Sequence, residues 1–287
     1  MAQRSRAFPD NAPGSLFVDR DCIDCETCYI LAPDVFEDAG GHARVRRQPQ
    51  TALERRRAHL SLVACPTASI GTEDRAGLRE ASRAFPDPIE DEVGFCGYTS
   101  EKSFGAWSYF IERRAGNVLV DSPRAALPLL RRLEEKGGVE LFVLSHRDDV
   151  ADHERLHERL GCARLMHRDD GVRGLERYIE GDLPVALAPD LLAIPTPGHT
   201  AGSLCLLYRR RFLFTGDHLW WNAERGMLSA SRRLNWYSWE TQLRSLERLL
   251  DFEFSWVLPG HGRAFRADSP EVMRRELERA LVHLRTV

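Results

Sequence analysis

Leu191-Leu192-Ala193-Ile194-Pro195-Thr196-Pro197-Gly198-His199-Thr200-Ala201-Gly202 is the stretch that decides the fold. An apolar run ends in a proline–glycine turn that delivers one histidine beyond it. The run suits a strand, and Thr196-Pro197-Gly198 suits a sharp exit from it. The arrangement recurs three times. The strand predicted over Arg211–Phe214 runs into Thr215-Gly216-Asp217, and that over Ser255–Leu258 into Pro259-Gly260-His261-Gly262. Val139–Leu144, a nearly unbroken apolar run suited to a strand buried on both faces, leads into Ser145-His146-Arg147-Asp148-Asp149-Val150-Ala151-Asp152-His153. Side chains carried past the ends of separate strands can converge at one edge of a sheet, and imidazoles with carboxylates suit zinc or iron.

Around these runs strands and helices alternate. Tyr109–Glu112 and Asn117–Asp121 read as strands joined at Ala115-Gly116, and Leu204–Tyr208 as another. Helices are predicted over Ala125–Lys136, Asp149–Leu160, Ser238–Leu250 and Pro270–Arg285. Arg209-Arg210-Arg211 reads as a solvated hairpin turn. The mixture argues for α/β or α+β layers, and the hairpin-like strands allow two sheets.

This ordered set resembles the metallo-β-lactamase superfamily, from about Val93 to about Phe265, with PTPGHTAGS, TGD and Asp121 after Leu119-Val120 as its marks. The resemblance implies a four-layer αββα fold with one or two Zn or Fe ions between the sheets. Carried over by position, His199 would bind the first metal, Asp217 would bridge, and Asp152, His153 and His261 would bind the second. The first motif departs from the family's H-x-H-x-D-H. From its right end Asp152-His153 fit; from its left end His146 and Asp148 do, and both ends fit only if two residues bulge between them. A carboxylate at Asp148 resembles the flavodiiron proteins, and oxygen ligands favour iron. Asp149 is expected to cap the following helix rather than to ligate. His42, His59, His167, His218 and His283 match no motif and are expected in surface or packing roles, while Trp220-Trp221, Trp236-Tyr237 and Trp239 suit either a substrate mouth or a core.

A second signal lies upstream. Cys22-x2-Cys25-x2-Cys28 sets three thiolates on one tight loop, and Cys65-Pro66 supplies a fourth. The pattern resembles bacterial-type ferredoxins, whose runs normally carry a fourth cysteine where this chain has Ala32-Pro33. Three ligands plus one from afar imply a single [4Fe–4S] cluster. A zinc knuckle would use the same sulfurs, but its pairs are normally spaced C-x2-C…C-x2-C. The cluster would also hold a segment too poor in large apolar residues to pack alone.

The domain plan expected is a loose arm over 1–14, a ferredoxin-like domain over 15–75, a linker over 76–92 rich in charge and proline, and the metallo-β-lactamase-type domain over 93–287. The net charge of −3 gives no case for nucleic acid or an anionic membrane, and no apolar run has the roughly 18 residues of a span. With no signal peptide read at the start, a cytoplasmic location is expected. The expected activity is hydrolysis of an ester, thioester or related small molecule, with metal lowering the pKa of water toward about 7 and Asp152 orienting it. One alternative is an oxidoreductase in which the cluster passes electrons to an iron centre, served by a redox partner protein. Another is a redox-sensing or binding module with partial metal occupancy.

Overall fold

The computed structural model describes residues 2–286; Met1 and Val287, placed by the sequence reading in the arm and the second domain, lie outside the described residues. The chain divides into two compact units, one reaching to Glu140 and including Ala151–Cys162, the other made of Leu141–Val150 and the chain from Ala163 onward.

In the first unit, two antiparallel ribbons, Phe17–Val18 with Ile70–Gly71 and Phe36–Asp38 with Ala43–Val45, accompany helices Thr27–Leu31 and Ala52–Ala64. The longer helix starts where Thr51 Oγ1 accepts from Glu54 N while the Glu54 carboxylate accepts from Thr51 N, a reciprocal cap. It stops at Cys65, whose extended backbone is what the following Pro66 demands. The core here is small, built on Val18, Val35, Phe36, Val45, Ala58 and Ile70.

The arm expected to be loose is pinned. Phe8 N donates to Val18 O and Ala12 N to Val45 O, while Asn11 Oδ1 accepts from both Val18 N and Val45 N. One side chain thereby satisfies two strand edges that would otherwise face water. The expected linker is ordered too. It contains helix Leu78–Arg83 and strand Asp87–Glu90, which opens an antiparallel meander with Val93–Phe95, Tyr109–Ile111 and Val118–Val120. Pro88 is tolerated because its strand begins that meander and has a partner on one side only. This pairing carries the first unit well past the boundary expected near residue 92. Helices Leu127–Glu135 and His153–Leu160 complete it.

The second unit holds three parallel strands, Leu141–Val143, Ala163–His167 and Arg177–Ile179. It also holds a six-stranded sheet in the order Val185–Ala188, Leu191–Pro195, Leu204–Tyr208, Phe212–Gly216, Trp256–Pro259, Phe265–Arg266. All neighbours in that sheet are antiparallel except Phe212–Gly216 with Trp256–Pro259. Arg209 and Arg210 turn the central hairpin in the left-handed region, φ 53° and 49°, as a solvated turn requires.

One sheet face, with Ile194, Cys205, Leu207, Leu213 and Val257, packs against Leu246 and Leu249 of the segment beginning with helix Trp239–Arg248 and against Met273, Leu277 and Leu281 of helix Pro270–Leu284. Each such buried side chain contributes about 1.5–3 kcal/mol. Ser238 and Ser269 cap the two helices by accepting from Thr241 N and Val272 N. Because Leu191–Pro195, Phe212–Gly216 and Trp256–Pro259 run in the same direction, their C-terminal ends share one edge. His199, Asp217 and His261 follow those ends.

Candidate metal centres

His146 leaves the strand Leu141–Val143 and is 1 % exposed. Its Nδ1 lies 3.0 Å from Ser145 Oγ, which fixes the ring and leaves Nε2 pointing at carboxylates. Nε2 stands 3.7 Å from Asp217 Oδ2 and 3.9 Å from both Asp148 Oδ2 and Asp149 Oδ2. His199 Nε2 lies 3.5 Å from Asp148 Oδ2 and 3.8 Å from Asp217 Oδ2. His261 Nδ1 is tied to Asp217 Oδ1 at 2.7 Å.

Among the described residues two sets of ligand atoms gather closely, His146–Asp148–His199 and His146–Asp149–Asp217, both within the second unit. The Nε2 atoms of His146 and His199 are buried without a hydrogen-bond partner. Such orphaned acceptors or donors are costly unless something else satisfies them, and a cation among three carboxylates would. Burial, partly opposed by Asp217 and Asp148, holds the His146 ring below its ordinary range, so the neutral form that ligates prevails. Burial pushes the Asp217 carboxyl up, but His261 and the rings of His146 and His199 outweigh it and hold the group well below the carboxylate range. The His199 imidazole beside it, with that of His146, likewise lowers Asp148. The residues present fit a metal.

The sequence expectations divide at this point. His146, Asp148, His199 and Asp217 come together, with His261 on the far oxygen of Asp217. Asp149, expected as a helix cap, instead sits buried in the second set; the helix begins only at His153, and its N-cap Asp152 makes no side-chain capping bond. Asp152 and His153, expected at the second metal, belong to the first unit and to neither set. Asp152 Oδ1 accepts from Lys102 Nζ at 2.8 Å and Oδ2 from Ala125 N at 3.0 Å, so both oxygens are engaged in holding backbone and side chain. His218 is buried directly after Asp217, pushed down to about 3 by burial, and joins neither set.

One residue was missed by sequence reasoning. Asp170, buried, accepts from Arg147 N at 2.7 Å, Gly202 N at 2.7 Å and Thr200 Oγ1 at 2.9 Å. It clamps the loop after His146 to the loop after His199. Gly202 is needed there, because a Cβ would come within 2.6 Å of Asp170 N. The aromatic candidates split. Trp221 stacks on Phe265 at 4.1 Å, and Trp220 and Trp239 pack on the core, whereas Trp236 and Tyr237 are each 58 % exposed. Trp236 N donates to His199 O, and its ring meets the His199 ring edge-on at 6.5 Å.

The four sulfur candidates line a single cavity with Val18, Ile23, Ala43, Pro66 and Ile70. Backbone N–H groups of Asp24 and Ala43 point at Cys22 Sγ, at 3.5 and 3.4 Å, and that of Ser69 points at Cys65 Sγ at 3.3 Å. Burial raises Cys22 and Cys28 and pushes Cys25 up to about 11. Buried thiolates need a compensating cationic core, and backbone donors aimed at the sulfurs suit an iron–sulfur cluster. Cys96, Cys162 and Cys205 are buried singly and are not disulfide-bonded.

Residues 18–72 match the 4Fe-4S single cluster domain of Ferredoxin I, and residues 143–261 match the metallo-beta-lactamase superfamily. The protein YobT of Bacillus subtilis is 35 % identical over 100 residues, 31 % of this chain and 41 % of that relative, so the match spans well under half of YobT. Among solved structures, a metallo-beta-lactamase from Hirschia baltica aligns at TM-score 0.53 and 15 % identity over 69 % of this chain and 95 % of its own. The DIM-1 metallo-beta-lactamase aligns at 0.51 and 15 % identity over 67 % and 95 %. Both likenesses concern the fold. Among the described residues no helix is long and apolar enough to cross a membrane. The chain thus carries a 4Fe-4S single-cluster ferredoxin-type domain followed by a domain of the metallo-beta-lactamase superfamily.

Proposed function

We propose that the protein is a metal-dependent oxidoreductase in which a [4Fe–4S] cluster held by Cys22, Cys25, Cys28 and Cys65 exchanges electrons with an iron ion held by His146, His199, Asp217 and Asp148. The observation that carries this reading is the donor set. Two buried imidazole nitrogens without hydrogen-bond partners face three carboxylates, and Asp148 stands where the family motif has an imidazole. Two histidines with carboxylates suit non-haem iron, whereas a third imidazole in place of Asp148 would have favoured zinc. When bound, iron supplies Lewis-acid and one-electron chemistry.

The protein's own groups do the rest. Ser145 orients the His146 ring, His261 holds Oδ1 of Asp217 so that Oδ2 faces the two histidines, and Asp170 fixes both histidine-bearing loops. Trp236 and Tyr237 offer an apolar lip beside His199 for a small-molecule substrate.

A second reading, metal-assisted hydrolysis of an ester or thioester, is favoured by Asp149. Its buried carboxylate beside His146 and Asp217 is placed to take a proton from water, the task first assigned to Asp152. Anaerobic metal analysis with redox titration separates the two. Iron in the nitrogen–oxygen site that changes valence together with the cluster supports the first reading. Zinc there, with turnover of an ester or thioester indifferent to cluster reduction, overturns it in favour of the second.

A further inference from the structure

The Cys25 corner of the sulfur cavity is covered by a turn that also reaches the segment following the first metal motif. Gly105, at φ +86°, lies so close that a Cβ there would sit 2.6 Å from Cys25 Cβ and 2.9 Å from its Sγ. Thr27 Oγ1 lies 3.6 Å from Cys25 Sγ and 3.5 Å from Gly105 O, and Trp107 Nε1 donates to it at 3.3 Å. An indole N–H can only donate, so the threonine oxygen is the acceptor and its single proton is left to point onward. With Cys25 as a thiol that proton goes to Gly105 O, whereas a cluster-bound thiolate, the stronger of the two acceptors within reach, would draw it to sulfur.

The rest of the turn is tight. Gly105 N donates to Ser100 O, Ala106 N to Ser103 O, and Thr99 Oγ1 to Ala64 O, the carbonyl before Cys65, at 2.6 Å. Between these anchors Lys102 Nζ reaches Asp152 Oδ1 at 2.8 Å, at the start of helix His153–Leu160. Two residues, Val150 and Ala151, separate Asp152 from Asp149 along the chain.

We propose that the loop Thr99–Trp107 is a coupling strap in which Trp107 and Thr27 act as positioning residues for the cluster, and Lys102 passes a change at the Cys25 sulfur to Asp152. Adding one electron makes the cluster sulfurs more negative and strengthens the Thr27 O–H and Trp107 N–H bonds, so these bonds favour the reduced state. The tightly bonded turn moves as one piece, and Lys102 carries Asp152 with it. The inference rests on the cluster reading alone. It does not require the metal assigned to His146 and His199.

The test uses the full chain with its cluster intact, reduced by dithionite, with visible absorbance reporting cluster content. Thr27→Val and Trp107→Phe are expected to retain the cluster and shift its reduced-to-oxidised ratio at fixed potential up to tenfold toward the oxidised form, a fall of up to 59 mV in midpoint. In the parent, reduction is expected to change amide hydrogen exchange over 99–107 and over 152–160 by severalfold. In Lys102→Met the change over 99–107 persists and that over 152–160 disappears. Unchanged midpoints in both cluster-side variants overturn the proposal. So does a parent whose residues 152–160 ignore reduction, or a Lys102→Met protein whose residues 152–160 still respond. Absence of visible absorbance in the parent would instead overturn the cluster assignment itself.

Discussion

Replacing Asp170 by asparagine tests whether the nitrogen–oxygen site is preorganised by a buried carboxylate. The aspartate receives three hydrogen bonds, from Arg147 N, Gly202 N and Thr200 Oγ1, at 2.7, 2.7 and 2.9 Å. Bonds to a charged group contribute about 1.5–3 kcal/mol each, and a buried donor left unmet costs about 1–3 kcal/mol. An amide keeps one acceptor oxygen. If that oxygen keeps Arg147 N and Thr200, the amide nitrogen faces Gly202 N–H, one charge-assisted bond is lost and two donors oppose each other. The expected loss of stability is about 2–4 kcal/mol, a sizeable part of a domain's total. The loops bearing His146 and His199 loosen together, and groups that orient ligands typically govern metal affinity by about 10–100-fold. Urea unfolding measures the first quantity, and chelator competition under native conditions the second. Thr200→Val, which removes only the hydroxyl bond, should cost about 1 kcal/mol and change metal affinity much less. Metal affinity equal to the parent's in a folded Asp170→Asn protein would refute the clamp.

Other perturbations have equally definite outcomes. Cys25→Ala or Cys28→Ala should abolish the brown chromophore and destabilise the first unit, since its core is small and a bound cluster would tie its loops together; unchanged visible absorbance contradicts this. His146→Ala and His199→Ala should each remove the metal of the nitrogen–oxygen site while leaving the cluster spectrum intact, as measured by elemental analysis beside visible absorbance. The fork of Arg164 around Glu176 lowers that carboxyl to about 2. Its folded pKa lies below the ordinary value of about 4.3, so its stabilisation is present above about pH 4.3 and is lost as pH falls toward 2. Glu176→Gln should therefore flatten the acid limb of the stability curve in that window, and parallel acid limbs in variant and parent would count against it.

Much of the second unit is legible because its strands are long apolar runs closed by turn residues. Leu191–Pro195 and Leu204–Tyr208 fall where their apolar runs and the flanking turn residues place them. Strand Ala163–His167 escapes such reading because Arg164 interrupts it, and the salt bridge with Glu176, twelve residues on, together with the Gly174 carbonyl makes that arginine tolerable in a buried position. Candidate ligands could be proposed from their order along the chain, yet their grouping could not. Asp149 looked like a cap because an aspartate before an amphipathic helix usually is one. Asp152 looked like a ligand because His153 adjoins it. Which carboxylate turns toward His146 is decided by where the helix starts, and a short helical turn over Arg147–Asp149 delays that start to His153. Asp170 carries no local signal, since its role arises from three donors brought together by folding.

The arm and the linker show a related limit. Proline and charge argue for a loose chain, but Asn11 reaches Val45, far along the sequence, and the Asp87–Glu90 strand pairs with Val93–Phe95 just beyond it.

The most direct measurement of the account is anaerobic iron, sulfide and zinc analysis of the purified full chain beside His199→Ala. A cluster of four irons plus one further ion predicts about five irons and about four sulfides per chain, with about one iron lost and sulfide unchanged in the variant. An iron count near four that His199→Ala leaves untouched, with no other metal in stoichiometric amount, would contradict it.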